Sequence, residues 1–210
     1  MEPRLNGLIS ARQNKEHGNN YARIGTTITN GVTCQKISNL KTGGFNFVNV
    51  AGGNLLPKNA VVIVAHPDDE SLWCGAHIYR YSWPVLCCCV PEKDPERCGH
   101  FFDACNVLCV RGAIIHVSAI PEMVKGFDAV ITHNELGEYG HKFHKEINHR
   151  VLSLGKQVFV FNYGIQKGEQ LSDLELKMKR LAVNCYKSRP KAWDNQSQKF
   201  NLTRESLLAR

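Results

Sequence analysis

Four ionisable side chains follow a short apolar run in the stretch VVIVAHPDDESLWCGA. Residues 61–65 are mostly β-branched, and His66, Asp68, Asp69 and Glu70 come directly after them. Imidazole and carboxylate groups are good zinc ligands, and a catalytic zinc takes three protein ligands and one water. Because Asp68 and Asp69 are adjacent, their side chains cannot point the same way, so one can bind a metal while the other faces its water. Glu70 falls in the first turn of the next helix, where a carboxylate suits the helix dipole or supports a ligand.

Another apolar run, at residues 128–133, ends in a second polar cluster, THNELGEYGHKFH. His141 and His144 are three residues apart, which predicts one face of the first turn of a helix. One of them can bind a metal and the other can stay beside the open coordination position. Taken alone, each cluster has an ordinary explanation, such as capping by the acidic run. Together they predict a metal site, for zinc or, since two histidines and a carboxylate also suit it, for ferrous iron.

The elements that must position these clusters alternate between strand and helix from residue 60 onward. The predicted strands are 61–65, 85–90, 112–118, 128–133 and 157–164, and the predicted helices are 70–81, 94–110, 140–155 and 173–186. This alternation predicts an α/β fold, a Rossmann-like doubly wound and mostly parallel sheet of order near 3-2-1-4-5 with helices on both faces. The first and fourth strands are then neighbours at the switch point, where ligands bind beyond the carboxyl ends. Both polar clusters should therefore meet there.

The chain divides by composition into three predicted parts. Residues 1–58, rich in Gly, Asn and Thr, predict an N-terminal extension of short strands and loops. Residues 59–190 predict the catalytic α/β domain, and residues 191–210 a basic C-terminal tail.

These motifs carry a resemblance to a known family. AHPDDE after a strand, with GEYGHKFH downstream, resembles the LmbE-like zinc-dependent deacetylases, which include the N-acetylglucosaminyl-phosphatidylinositol de-N-acetylases and the mycothiol-pathway deacetylases. The segments at 94–108 and 184–190 are also similar, so the resemblance covers roughly residues 60–190. It implies a hydrolase that removes an acetyl group from an N-acetylated amino sugar or its conjugate.

The resemblance also implies a role for each matching residue. His66, Asp69 and His144 would be the zinc ligands, and Asp68 the general base that activates zinc-bound water. His141 would be the polarising or acid group near the scissile carbonyl, and Tyr139 would assist the tetrahedral intermediate. The partner would be a small-molecule or glycan-conjugate substrate, and the oligomeric state is not readable.

Two features depart from the family pattern. Lys142 and Phe143 stand where the family usually has Pro-Asp between the last two histidines. The spacing is kept, so ligation should survive, but an acid that would support the ligands is lost and a positive charge is gained. Almost sixty residues precede the first motif, whereas family members usually begin close to it.

The charge balance leaves one alternative from another functional class. The net charge is +7, with the basic excess densest after residue 175. This would suit a non-catalytic α/β module that binds nucleotides or nucleic acid through the basic C-terminal half. No GxGxxG or GxxxxGK[ST] motif accompanies the charge. A family member that has lost catalysis and serves structure or interaction is a third reading, disfavoured because every motif ligand is present.

The remaining sequence features predict a cytoplasmic protein. No uncharged apolar run approaches the roughly 18–20 residues that span a bilayer, and the polar N-terminus has no signal-peptide core. The nine cysteines are odd in number and include no CxxC pair, which favours small buried hydrophobes over disulfides or a thiolate zinc site.

Overall fold

The central feature of the fold is a mostly parallel sheet. The computed structural model describes residues 56–89, 94–162, 168–186 and 203–210. The strands are β1 (Ala60–Val64), β2 (Val85–Cys87), β3 (Gly112–Ile114), β4 (Ala129–Thr132), β5 (Gln157–Phe161), β6 (Glu169–Gln170), β7 (Arg204–Glu205) and β8 (Leu207–Ala209). Six of them form one sheet of order β3-β2-β1-β4-β5-β8, and β6 pairs with β7. The predicted order 3-2-1-4-5 is confirmed, with β8 added antiparallel to β5.

The helices lie on both faces of this sheet. They are α1 (Asp69–Tyr81), α2 (Pro95–Val107), α3 (Ile120–Met123), α4 (Gly137–Gly140), α5 (Lys142–Leu152) and α6 (Asp173–Asn184), with a 3-10 turn at Val117–Ala119. Side chains of α1, α2 and α6 share one buried apolar cluster, and those of α3 and α5 share the other. The predicted layering is therefore confirmed.

Strand β1 shows why both faces of the sheet must be covered by apolar side chains from the helices. All five of its residues are buried. Val62 and Val64 belong to the core shared with α1, α2 and α6, whereas Val61 and Ile63 belong to the opposite core. Successive side chains of a strand point to opposite faces, so a continuous apolar run requires apolar layers on both sides. Burial of each such side chain contributes about 1.5–3 kcal/mol.

Several element ends differ from the predicted bounds. Asp94 caps α2, accepting a hydrogen bond from the backbone N–H of Arg97, as the Asp-Pro pair predicts. Helix α5, however, begins at Lys142 rather than at residue 140, because His141 has an extended backbone (φ −65°, ψ 124°). The predicted N-terminal extension lies almost wholly outside the described residues. The predicted division into three parts stays a prediction. Residues 203–210 pair with the α/β domain through β8, which the prediction of a separate C-terminal tail did not include.

A buried polar cluster attaches the end of the chain to the helices. Glu205 accepts hydrogen bonds from the backbone N–H groups of Ala76 and His77 and from Nδ1 of His77, at 2.6–2.9 Å. Its other contact is an ion pair of 2.7 Å with the buried ammonium of Lys179 in α6. Burial alone would raise the pKa of Glu205, but Lys179 and His77 lower it to about 2. The cluster thus holds an ionised carboxylate in the core.

Five cysteines, Cys74, Cys87, Cys88, Cys98 and Cys105, are buried free thiols, as predicted. Cys109 is disulfide-bonded, so the prediction that disfavoured disulfides is wrong for that residue. Among the described residues, no helix combines the length and apolar character required to cross a membrane.

Candidate active site

The two polar clusters meet at the carboxyl ends of β1 and β4. These strands are parallel neighbours, with Val62 opposite Ile131. Their following turns therefore leave the sheet at one edge, and a further hydrogen bond joins them there, from the backbone N–H of Ala65 to Nε2 of His133 at 2.9 Å. The topology alone brings together side chains that are about seventy positions apart in the chain.

Three donor atoms converge at this edge. Nδ1 of His66 lies 3.2 Å from Nε2 of His144, and Oδ2 of Asp69 lies 3.4 Å from each of those nitrogens. His144 and Asp69 are buried, and His66 is half-buried at the mouth of the site. The structure therefore brings together the three residues that the sequence predicted as metal ligands. Their roles as ligands stay a prediction.

The triangle of donor atoms fits a tetrahedral metal ion. Ligands about 2.0–2.1 Å from a zinc ion in tetrahedral arrangement are roughly 3.3–3.4 Å from one another. The observed edges of 3.2–3.4 Å match that spacing. Burial alone would raise the pKa of Asp69, but its contacts with His133, His144 and His66 hold that pKa well below the ordinary value. Asp69 is thus ionised, as a ligand must be.

Glu138 fixes the orientation of His144 from behind. Its Oε2 accepts a hydrogen bond from Nδ1 of His144 at 2.6 Å and another from Nδ1 of His133 at 2.9 Å. Because Nδ1 is the donor, Nε2 is the atom through which a neutral His144 can bind a metal, and it faces Asp69 and His66. Burial alone would lower the pKa of His144, but the two carboxylates raise it to about 9, so a metal ion would have to displace a proton there.

His133 belongs to a second possible set of metal ligands, but its hydrogen bonds exclude it as a ligand. Asp69, His133 and His144 together could also hold a metal ion, as could His66, His141 and His144. The Nε2 atom of His133 already accepts the Ala65 N–H, and its Nδ1 donates to Glu138. Neither nitrogen has a lone pair left for a metal. His133 therefore acts as a scaffold between the two strand ends.

Asp68 points away from Asp69, as their adjacency predicts. Nη2 of Arg97, in the first turn of α2, donates to Oδ2 of Asp68 at 2.6 Å. The Asp68 backbone is left-handed (φ 110°), and its N–H donates to Oε2 of Glu70 at 3.0 Å. Burial and the charge of Asp69 raise the pKa of Asp68 to about 8, against the lowering effect of Arg97. A carboxyl group with this pKa can exchange a proton near neutral pH.

Glu70 supports this turn rather than facing the donor triangle. It is fully buried, and its Oε1 accepts hydrogen bonds from the hydroxyls of Ser71 and Tyr186, both at 2.6 Å. Its Oε2 holds the left-handed backbone of Asp68. Left-handed backbone is strained for a residue with a side chain, and surrounding contacts must hold it. Of the two roles considered for Glu70, the structure therefore fits support of the turn.

His141 and Tyr139 lie on the open side of the site. The His141 ring is 4.6 Å from the rings of both His66 and His144, and the Tyr139 ring is 5.3 Å from His144. His141 precedes α5 instead of standing within its first turn, so it reaches the site from an extended segment. Its Nδ1 is buried and has no hydrogen-bond partner among the described residues. Burial and the two neighbouring histidines lower the pKa of His141, which favours a neutral ring.

The two departures from the family pattern have structural outcomes. Phe143 stands where the family usually has an acid, and a different residue, Glu138, supplies a buried carboxylate that accepts a hydrogen bond from Nδ1 of His144. Phe143 packs its ring edge-on against His66 at 5.6 Å, and Lys142 is exposed.

A cavity of about 450 Å³ opens beside His66. Its lining combines apolar, thiol and charged side chains: His66, Pro67, Cys88, Cys89, Asp94, Arg97, Cys98 and Phe143. Volumes of this size are typical of small-molecule sites. Arg97 thus contacts both this cavity and Asp68.

Sequence reasoning missed the supporting roles of His133 and Glu138 and the contact from Arg97. His133 could have been noticed, because it is the last residue of a predicted strand. Glu138 is six residues before His144, which is not a helical spacing, and it reaches the histidines only through a left-handed backbone (φ 55°). Arg97 comes from a different helix and carries no local signal.

Comparison with known proteins gives a structural similarity. No family model matches the chain, and no curated protein sequence matches it. A solved structure, the antimicrobial reagent A40926 pseudoaglycone deacetylase Dbv21, is similar with a TM-score of 0.55 and 13% sequence identity. The match covers 68% of this chain and 87% of that chain. At this identity the likeness establishes a shared α/β fold.

Proposed function

We propose that this protein is a metal-dependent N-deacetylase that removes the acetyl group from an N-acetylated amino sugar or its conjugate. The observation that carries the proposal is the donor triangle of His66, Asp69 and His144, with edges of 3.2–3.4 Å and Glu138 behind it. Zinc is the proposed metal, and ferrous iron is the alternative that the same donors would accept.

The chain's own groups supply the proton chemistry. A bound metal ion would lower the pKa of a water molecule and polarise the acetamide carbonyl. Asp68 takes the proton from the attacking water, and Arg97 and Glu70 hold it in place for that task. The proton that Asp68 has taken then passes to the departing amine, either directly or by way of the His141 imidazole. The products are acetate and a free amino sugar.

His141 and Tyr139 are proposed to stabilise the negative oxygen that develops on the carbonyl. A neutral imidazole donates one N–H, and a positioned donor of this kind is worth about 3–4 kcal/mol of barrier in acyl transfer. The Nδ1 atom of His141, which has no hydrogen-bond partner in the described part of the chain, supports this role, since a buried polar atom calls for a partner that a substrate can provide. Tyr139, half-exposed at the rim, can add its hydroxyl.

The cavity beside His66 is the proposed substrate site. Its volume suits a single sugar unit, with Phe143 as an apolar wall and Asp94 and Arg97 as polar contacts. Dbv21 is described as a deacetylase of the A40926 pseudoaglycone. Its shared fold supports a deacetylation reaction here, while the amino-sugar substrate rests on the motifs AHPDDE and GEYGHKFH.

Metal analysis combined with an acetate-release screen tests the proposal. The purified chain is expected to bind about one equivalent of zinc, and acetate should appear with an equal amount of free amine from at least one N-acetylated amino sugar or conjugate. Asp68→Asn, with its metal retained, is the control for contaminating hydrolase. A zinc-loaded chain that releases no acetate from any member of the panel would overturn the reaction. A metal-free chain that binds nucleotides or oligonucleotides would instead favour the binding module.

A further inference from the structure

Two thiols lie against each other in the wall of the cavity. Sγ of Cys89 is 3.3 Å from Sγ of Cys98. Cys89 comes just after β2, and Cys98 lies in the first turn of α2. Both line the cavity that His66 borders, and neither belongs to the donor triangle.

The fold brings this pair together from two rigid elements. Cys87 and Cys88 anchor the end of β2 in the two cores, and Phe101 anchors α2 in the core from one turn beyond Cys98. A disulfide bond is about 2.05 Å long, so the two sulfur atoms need to approach by only about 1.2 Å. Cys89 is half-buried and borders the cavity, which gives a small reagent access to it.

We propose that Cys89 and Cys98 form a reversible disulfide, a modification site in the wall of the substrate cavity. The co-reactant is a low-molecular-weight disulfide. The Cys89 thiolate attacks one sulfur of the reagent and expels a thiolate, giving a mixed disulfide. The Cys98 sulfur then attacks Sγ of Cys89 and expels the second reagent thiolate. Two protein thiols are oxidised, the reagent is reduced to two thiols, and the protein's two protons go to those thiols.

The surroundings assign the order of these two steps. A hydrogen bond from Cys87, helped by Cys98 and opposed by burial, lowers the pKa of Cys89 to about 7. Burial and the neighbouring Cys89 raise the pKa of Cys98 to about 12. Cys89 is therefore the attacking sulfur and Cys98 the resolving one, because the thiolate is the nucleophile.

The bond should also affect turnover, a consequence that rests on the proposed function. Arg97 directly precedes Cys98, and its guanidinium holds Asp68. Drawing the first turn of α2 toward the end of β2 displaces Arg97 from Asp68 and narrows the cavity. A misplacement of about 1 Å in a catalytic site can cost about a hundredfold in rate, so oxidation should lower acetate release by tenfold or more.

Thiol mapping tests the bond without any assay of activity. The metal-loaded protein is incubated with oxidised glutathione, alkylated, and digested with trypsin, which cleaves after Lys93 and Arg97 and so separates the two cysteines. The expected result is a link between peptides 81–93 and 98–111 that appears only on oxidation and is lost after a reductant; Cys109, in the second peptide, is disulfide-bonded before oxidation. Cys89→Ser and Cys98→Ser should each abolish the linked pair, and the control Cys185→Ser should retain it. Alkylation of both cysteines in the oxidised wild type would overturn the proposal, as would fragmentation that assigns the bond to Cys88.

A second measurement separates this inference from the proposed function. The donor triangle contains no thiol, so the metal content should be the same before and after oxidation. Acetate release should fall on oxidation of the wild type and recover with reductant, and it should be insensitive to oxidant in Cys89→Ser, which lacks the attacking sulfur. Absence of acetate release under all conditions would count against the proposed deacetylase function. The disulfide proposal would still be tested by the linked peptides, which do not depend on activity. A linked pair with undiminished turnover would overturn the coupling through Arg97.

Discussion

Glu138 accepts a hydrogen bond of 2.6 Å from Nδ1 of His144, and the same carboxylate oxygen accepts one from His133. One buried acid therefore sets the ring orientation of a candidate ligand and fixes which of its nitrogens faces Asp69. The carboxylate reaches this position from a left-handed residue in a four-residue helix, just after Gly137 (φ 66°). Such strain persists where surrounding contacts hold it, and here the contacts are the two histidines and the backbone N–H of Asn134.

Glu138→Gln should weaken metal binding by about 10–100-fold, the usual cost of losing a carboxylate behind a histidine ligand. The amide no longer provides a charged acceptor for both histidines, so the His144 ring loses its fixed orientation. Competition with a chromophoric zinc chelator measures the affinity. Glu146→Gln, on the exposed face of α5, is the matched control and should bind zinc like the wild type. Equal affinities in the two variants would contradict the role of Glu138.

Variants of the donor triangle and of His133 should distinguish the residues that bind the metal from the residue that only supports them. His66→Ala, Asp69→Ala and His144→Ala should each lose stoichiometric zinc, because three protein ligands are needed to hold the ion. His133→Gln should keep zinc but unfold at a lower temperature, since it breaks the link between Ala65 and Glu138.

Metal content by mass spectrometry and thermal unfolding are the two measurements for this series. Each variant is compared with His149→Gln, an exposed histidine on α5. If His133→Gln lost zinc while His66→Ala retained it, the ligand would be His133 and not His66.

The fold was predictable because its strands are short and almost wholly apolar. Residues 61–65 could only be a strand covered on both faces, and the alternation with helices left few topologies to consider. His66, Asp69 and His144 were also predictable as neighbours. His66 and Asp69 belong to the segment that follows β1, and His144 belongs to the segment that follows β4. Adjacent parallel strands bring such segments to one edge of the sheet.

The support around the site was not predictable from local pattern. Arg97 reaches Asp68 across 29 positions of sequence, and the contact depends on how α2 packs beside the end of β1. Strand β8 has three residues and pairs with β5 from the far end of the chain. Nothing in so short a run specifies a partner, because strand pairing is set by the exposed edge that the rest of the sheet leaves open.

Asp68→Asn should lower acetate release by about 10²–10⁴-fold while the zinc content stays near that of the wild type. The amide keeps the shape of the side chain but cannot accept the proton of the attacking water. Initial rates of acetate formation and metal analysis of the same sample are measured together. Asp103→Asn, an exposed aspartate of α2, is the control for a charge change of the same size. A wild-type rate in Asp68→Asn would remove Asp68 as the base.

The buried carboxylate of Glu205 should make stability fall in acid. Its pKa is about 2 in the folded protein against an ordinary value of 4.5, because Lys179 and His77 favour the ionised form. A lowered pKa stabilises the folded state above the unfolded value, and that stability is lost as the pH falls from about 4.5 toward 2. The contribution at neutral pH is about 3 kcal/mol. Glu205→Gln should therefore lower the free energy of unfolding at pH 7 by a similar amount or more, since Lys179 is left buried without its partner.

Urea unfolding of wild type and Glu205→Gln at pH 7 and at pH 3 measures this dependence. The difference between the two proteins should shrink at pH 3, because the wild type has by then lost part of the stability that the ionised carboxylate supplies. Other carboxylates titrate over the same range in both proteins, so the difference isolates Glu205. Glu122→Gln, which removes an exposed partner of Lys125, should track the wild type at both pH values. A gap between Glu205→Gln and wild type that is the same at pH 7 and pH 3 would mean that the carboxyl group is not ionised in the core.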